Sequence, residues 1–179
     1  MTVCSCTAKV CVAAAFKSFL DKRRMMFRIL RQVERSKIMH PTEKAVRQFH
    51  ESWGMRDPDR GAEVISEDCD FEDVARNEKQ RGKEAYKADY HRWREAFPDG
   101  LCEVENVMVS QCGEWATLEF RNTGTHTGIL RSSLGDFAPT GKRAEVRYCS
   151  VMKVKDGMVV EGRDYYDSAT IVRQLGLVD

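Results

Sequence analysis

Residues 144–166 constrain the fold more than any other stretch. "AEVRYCSVMKVK" (144–155) alternates as a strand, Asp156-Gly157 supplies the commonest two-residue hairpin turn, and "MVVEGRDYY" runs back along its partner. An isolated hairpin is marginal in water, so this one requires more strands and a cover for its apolar face. The strands stand immediately upstream. Residues 102–110 read as one, Gln111 to Glu114 as a turn, and "WATLEFRNTGTH" (115–126) as another. In that last strand Ala116, Leu118 and Phe120 alternate against Trp115, Thr117, Glu119 and Arg121.

The cover comes from the first half of the domain. Residues 41–54 carry Val46, Phe49 and Trp53 at helical spacing, "DPDRGAEVI" gives a turn and a short helix, and residues 82–97 carry an aromatic stripe of Tyr86, Tyr90, Trp93 and Phe97. Pro98-Asp99-Gly100 breaks that helix. "CDFEDV" (69–74) suits a short strand, residues 127–142 a long loop, and "ATIVRQLG" (169–176) a closing helix. Helices first and antiparallel strands after make an α+β domain: a curved sheet with helices on its concave side, leaving room for a pocket between them.

The 179-residue chain has a formal net charge of +1, which masks two unlike parts. Residues 1–38 hold nine Lys or Arg against Asp21 and Glu34, for a net of +7, so the remainder stands at −6. That balance predicts no nucleic-acid partner for the main domain. The segment from Val10 to Met39 patterns as a basic amphipathic helix, with Phe16, Phe19, Leu20, Phe27, Leu30 and Val33 on one face. It suits a targeting or membrane-surface peptide on composition. The reading taken is a basic extension or flexible arm, 1–38, ahead of a domain spanning 39–179, because "MHPTEKAVRQF" is a natural opening with Pro41 in a first helical turn. No apolar run reaches membrane-spanning length, so stable membrane insertion is not expected. The seven cysteines (4, 6, 11, 69, 102, 112 and 149) lack the paired spacing of a zinc site and read as reduced thiols of a cytoplasmic protein, with no metal.

Among ionisable residues, Asp164 is singled out by pattern. It shares strand parity with Val160 and Gly162, so it faces the pocket if they do; otherwise it pairs with Arg163 or Arg147, or caps the following helix. Asp167, directly before "SATIVRQLG", is the better cap. His126 stands where a long strand breaks into a loop, placed either to polarise a carbonyl or to bond nearby backbone. Tyr148, Ser150 and Met152 share one strand face, while Trp53, Tyr86, Tyr90 and Trp93 suit either pocket walls or core. His50 and His91 lie on helices without a carboxylate or cysteine at metal-like spacing, and no chemistry is assigned to them.

"FPDG" (97–100), "TGTHTG" (123–128), "PTGKRAEVR" (139–147) and "VKDGMVVEGRDYYDSATIVRQLG" (154–176), in that order, resemble the SnoaL-like polyketide cyclase family within the nuclear transport factor 2-like superfamily. The resemblance covers about residues 41–178. It implies a cone-shaped α+β barrel around a pocket, a homodimer, and a small apolar substrate or ligand. It also implies an intramolecular aldol step run by a pocket acid with neither metal nor cofactor. Asp164 matches the family's acid–base aspartate. Ser150 stands about fourteen residues earlier, where the characterised cyclases carry a histidine, so the pattern departs there. The site expected is therefore Asp164 and His126 as catalytic groups, with Tyr148, Ser150, Trp53, Tyr90 and Met152 around the substrate. Two other activities of the same superfamily compete. One is an isomerase, with a tyrosine and an acid facing an oxyanion. The other is an epoxide hydrolase needing an Asp-Arg-Asp set, for which Arg147 and Asp164 are candidates without a third member. A non-catalytic binding module of the same fold is the remaining alternative.

Overall fold

A computed structural model describes residues 39–132 and 135–178. The basic segment 1–38 and its reading as an extension lie outside the described residues.

The domain opens with α1 (Pro41–Met55). The imidazole Nδ1 of His40 accepts from the Thr42 amide at 3.2 Å, Pro41 takes the first helical position, and Arg56 in the left-handed region ends the helix. A short α2 (Pro58–Ala62), capped by Asp57, leads into β1 (Ile65–Asp73), and a turn at 74–77 joins β1 to β2 (Glu78–Arg81). Helix α3 (Gly82–Ala96) follows, then β3 (Leu101–Val109) and β4 (Trp115–Thr125). A two-stranded ribbon of β5 (Leu130–Ser132) and β6 (Gly135–Phe137) precedes the long hairpin of β7 (Arg143–Lys155) and β8 (Met158–Tyr166). Helix α4 (Ser168–Leu175) closes the domain. Its cap is Asp167, which accepts from the Thr170 amide at 3.2 Å and from its hydroxyl at 2.5 Å. Among the described residues no helix is long and apolar enough to cross a membrane.

Two differences from the sequence-based expectation matter. The strand expected at 69–74 is longer, beginning at Ile65, and it pairs with β8 in parallel. The stretch 127–142, expected as a loop, holds the β5–β6 ribbon. The six strands run β2-β1-β8-β7-β4-β3, with β1–β8 the parallel pair. Register shifts interrupt the β3–β4, β7–β8 and β1–β8 ladders, and such irregularities bend and twist a sheet. Helices α1 and α3 pack on the inner face, where Val46, Phe49 and Tyr86 meet Leu118, Phe120 and Met152. A second cluster places Ile171 and Leu175 of α4 against Val146, Ala144 and Phe97. The opposite face is charged: Arg121 pairs with Glu103 at 2.6 Å and Glu145 at 3.4 Å.

The irregularity in β8 sets which way Asp164 points. Val154 pairs with Val159 but Lys153 pairs with Glu161, so Val160 is passed over in the ladder. Val159 is wholly buried and Gly162 is buried, three residues apart, while Val160 is not. The parity shared by Gly162 and Asp164 is thus the inner one, as expected, but Val160 does not belong to it.

Candidate active site

The inner face is built in rungs of register partners. Phe71, Gly162, Met152 and Ala116 form one across β1, β8, β7 and β4. Asp73, Asp164, Ser150 and Leu118 form the next, and Tyr166, Tyr148 and Phe120 the one beyond it. Directly opposed side chains on one face lie roughly 5 Å apart at Cβ, so each residue's chemistry is set largely by its rung. Gly162 is small for a reason: a Cβ there would come within 2.5 Å of the Phe71 ring, which lies over it. Phe71 in turn stacks on Phe49 of α1, with centroids 5.6 Å apart and planes 18° apart.

Above this face lies a cavity of about 490 Å³, a size suited to a small organic ligand. Aromatic side chains line part of it, Phe49 and Trp53 from α1, Tyr86 and Trp93 from α3, Phe120 and Tyr148 from the sheet, alongside the charged Asp73, Arg76, Asp89, Arg92 and Arg131. The β5–β6 ribbon and α4 reach the same space through Phe137 and Ile171. Asp164 lines it, deep in the domain, keeping some accessible surface only because it faces the cavity. Ser150, fully buried beside it, donates a short hydrogen bond to its Oδ1. Among the described residues no guanidinium or ammonium pairs with Asp164. Burial raises its pKa to about 7; the Ser150 hydrogen bond and the more distant Arg76 pull it down, while the carboxylates of Asp73 and Asp89 push it up. An acid held there is half ionised near neutrality, able to take a proton and to give one.

Asp73, on the other side in the same rung, is treated differently. Its Oδ2 meets Arg76 Nε at 2.7 Å and accepts from the Tyr166 hydroxyl at 3.0 Å, and its Oδ1 accepts from the Arg76 amide at 2.9 Å. Arg76 also donates to Asp89 at 3.0 Å, and Arg92 ties Asp89 to Glu78, which it meets at 2.9 Å. Burial works against the Arg76 cation, but Asp89 and Asp73 outweigh it and hold the guanidinium charged. Tyr166 is kept protonated by burial first, then by Tyr148 and Asp73.

The expected site residues divide. Asp164, Tyr148 and Trp53 line the cavity, and Ser150 supports Asp164 from below. Tyr90 is buried against Trp53, with centroids 5.4 Å apart, and Met152 is wholly buried; neither is part of the cavity lining. His126 is a correction. It is fully covered, its Nδ1 lies 3.2 Å from Thr140 Oγ1, its ring packs on Phe97, and it does not line the cavity. A strand end reads as a pocket rim only if the strand ends at the pocket, and β4 ends instead beside the Ala96–Phe97 turn. Arg147 is also corrected: it is exposed, with the outward parity of its partner Arg121, and cannot serve Asp164.

Sequence reasoning missed Asp73, Arg76, Asp89 and His50, all of which line the cavity. A signal for two of them was present. Val46, Phe49, His50 and Trp53 form an i, i+3, i+4, i+7 stripe on α1, and Tyr86, Asp89, Tyr90 and Trp93 repeat it on α3. Each inward stripe therefore contains one polar residue. Among the described residues, no group of three or more His, Cys, Asp or Glu is placed to hold a metal ion.

Comparison with known proteins agrees with this architecture. No curated protein matches the chain. Among solved structures, a candidate SnoaL-like polyketide cyclase from Jannaschia sp. CCS1 superposes with a TM-score of 0.66 at 25% identity, over 78% of this chain and 94% of that one. IdmH, a candidate polyketide cyclase from Streptomyces antibioticus, gives 0.63 at 19% identity, over 75% and 98%. A Catenulispora acidiphila protein with a ketosteroid isomerase-like fold, solved with trimethylamine, gives 0.60 at 15% identity, over 74% and 92%. The profile of one sequence family matches residues 43–175, most of the chain. On that match, and with the fold in agreement, the chain belongs to the SnoaL-like polyketide cyclase family.

Proposed function

We propose that the protein is a cofactor-independent enzyme of the SnoaL-like ester or polyketide cyclase type, with Asp164 as general acid and base on a small, largely apolar carbonyl compound. The Asp164 carboxylate takes a proton from the carbon beside a carbonyl. The C–H electron pair becomes the enolate C=C bond, and the carbonyl π pair moves to oxygen. The enolate carbon then attacks a second carbonyl of the same molecule, and protonated Asp164 returns its proton to the new alkoxide. Atoms and electrons balance without an oxidant or reductant. The observation that carries this reading is a carboxyl with no counter-ion among the described residues, held at about 7, facing a cavity partly lined by aromatic rings.

The tyrosine-plus-acid arrangement of an isomerase has less support. The Tyr166 hydroxyl is committed to Asp73, and Tyr148 has Asn122 as its polar neighbour.

The half-reaction is testable without the natural substrate. In D2O, the protein should exchange the protons beside the carbonyl of 1-tetralone with saturation kinetics, read by proton NMR. The rate should rise with pH through about 7, as Asp164 ionises. Asp164→Asn should lower the exchange rate by about 10²–10⁴-fold while melting cooperatively. Undiminished exchange in that variant would falsify the assignment. Saturable binding without exchange by the wild type would favour a ligand-binding module.

A further inference from the structure

Two positions break the burial pattern of the inner sheet face. On β4 the inward residues Ala116, Leu118, Phe120 and Gly124 are buried, and Asn122 between them is only half-buried. On β7 the inward residues Ala144, Val146, Ser150, Met152 and Val154 are buried, and Tyr148 is only half-buried. Both are polar, and both line the cavity, which is what uncovers them. The faces of the Tyr148 ring are taken by Phe120, with centroids 4.9 Å apart, and by Tyr166, at 4.2 Å. Its accessible surface is therefore at the ring edge and hydroxyl. Among the described residues neither Asn122 nor Tyr148 has a covered polar atom left without a partner, unlike His50 and Trp53 of the same lining.

The register ties these two residues to Asp164. Asp164 opposes Ser150, and Tyr148 lies one rung along from Ser150 on β7. Tyr148 opposes Phe120, and Asn122 lies one rung further on β4. Asp164, Tyr148 and Asn122 thus form a diagonal across three adjacent strands, each step roughly 7–8 Å and within reach of long side chains. Burial first, then Asp164, keeps Tyr148 protonated, while a hydrogen bond from the Asn122 side chain works the other way. A primary amide has two N–H donors and a carbonyl with two lone pairs, and Tyr148 takes one of these. The guanidiniums of the lining are paired, Arg76 and Arg92 with Asp73, Asp89 and Glu78, and Arg131 with Glu95 and Asp136. What this end of the cavity holds out to a ligand is a neutral amide.

We propose that Asn122 is a specificity-determining residue, its side-chain amide hydrogen-bonding a hydroxyl group of the ligand at the far end of the diagonal from Asp164. This rests on the reading of the cavity as the substrate site, but not on Asp164 as its base. A hydroxyl is the complement of an amide, since it donates to the carbonyl and accepts from the N–H. The chemical class that follows is a neutral ring ketone with a hydroxyl away from the reacting carbonyl. Held by that hydroxyl, the ketone is bound and oriented at a distance from the carbon that loses its proton.

The test compares 1-tetralone with 6-hydroxy- and 7-hydroxy-1-tetralone by titration calorimetry at pH 6, where the phenols are neutral. The wild type should bind at least one hydroxy ketone about tenfold more tightly than 1-tetralone, the worth of one good hydrogen bond. Asn122→Leu, close in size and without hydrogen-bonding groups, should abolish that ratio. A merely structural loss would weaken all three ketones alike and leave the ratio standing. Asn122→Ser, which keeps a hydroxyl, should retain part of it and carries the test if the Leu variant does not fold. Tyr148→Phe, which keeps the ring stack, should reduce the ratio less than Asn122→Leu; the reverse order would make the tyrosine the anchor and overturn the proposal. A wild type without preference, or without saturable binding of any of the three, overturns it too. Asp164→Asn separates the two readings. It should lose proton exchange and keep the hydroxyl preference, whereas Asp164-dependent exchange in a wild type with no preference would sink Asn122 alone.

Discussion

The ends of β1 and β8 hold the same side chain in the same rung, and the two aspartates have opposite surroundings. Asp73, although it borders the cavity, is held by Arg76 through its guanidinium and its amide and by the Tyr166 hydroxyl. Asp164, its register partner, receives among the described residues only the Ser150 hydroxyl and otherwise faces the cavity. A carboxylate becomes a catalyst's acid through what it lacks. Cations nearby would fix it as an anion, and burial without one leaves its proton in play. The cations that line the cavity are occupied elsewhere: Arg76 and Arg92 by Asp73, Asp89 and Glu78, and Arg131 by Glu95 and Asp136.

The comparison breaks most visibly at Asp164→Asn. Native Asp164 keeps its proton up to about pH 7, whereas in the unfolded chain it ionises at the ordinary carboxylate value near 3.8. Across that window the folded state binds more protons than the unfolded one. Stability conferred by the protonated acid is therefore full below the window, is lost as pH rises through it, and levels off above about 7. An asparagine mimics the protonated acid at every pH. The variant should match the wild type in denaturant unfolding at pH 4 and be more stable at pH 8, by up to about 4 kcal/mol, taking about 1.4 kcal/mol for each tenfold change in ionisation. Equal stability at both pH values would mean that Asp164 is not held protonated.

The opposite break is Arg76→Met, which strips Asp73 of its counter-charge. Removing one partner of a buried pair costs about 3–5 kcal/mol, and with Arg76 still 24% exposed the lower figure is expected. Because Arg76 favours ionised Asp164, its loss should also move the exchange midpoint above about pH 7. Ser150→Ala acts on the other side of the rung and should move the midpoint the same way, since its hydrogen bond favours the charged carboxyl. Its stability loss is smaller, about 1.5–3 kcal/mol at pH 8 for a hydrogen bond to a charged group, and less at pH 5. A midpoint that stayed put in both variants would uncouple Asp164 from its rung.

Much of this arrangement was legible in the sequence, and the reasons for the rest are specific. The β7–β8 hairpin, the two inward-facing helices and the Asp167 cap follow from alternation, helical spacing and turn chemistry, all of which are local. Asp164 was reachable because Gly162, two residues earlier, faces the same way; counting from Val160 reached the right face although Val160 itself is skipped by the bulge. Asp73 and Arg76 were not reachable. Their meaning depends on the parallel pairing of β1 with β8, which joins residues about ninety positions apart in sequence and leaves no periodic trace. His50 could have been found, since it completes the stripe of Val46, Phe49 and Trp53. A search for metal-like spacing passes over a lone histidine whose only neighbours are apolar. His126 failed for the converse reason: sequence locates a strand end but not what packs over it.

The finest cut through the comparison is Tyr166→Phe. The ring would keep its contact with Tyr148, whose centroid is 4.2 Å away, and Asp73 would keep both of its Arg76 contacts. Only the 3.0 Å hydroxyl bond to Asp73 is lost, so the expected destabilisation is about 1 kcal/mol. Tyr166 is not among the groups that set the Asp164 ionisation, so the midpoint of exchange should remain at about pH 7. A shift would show that the two carboxyls communicate through the tyrosine.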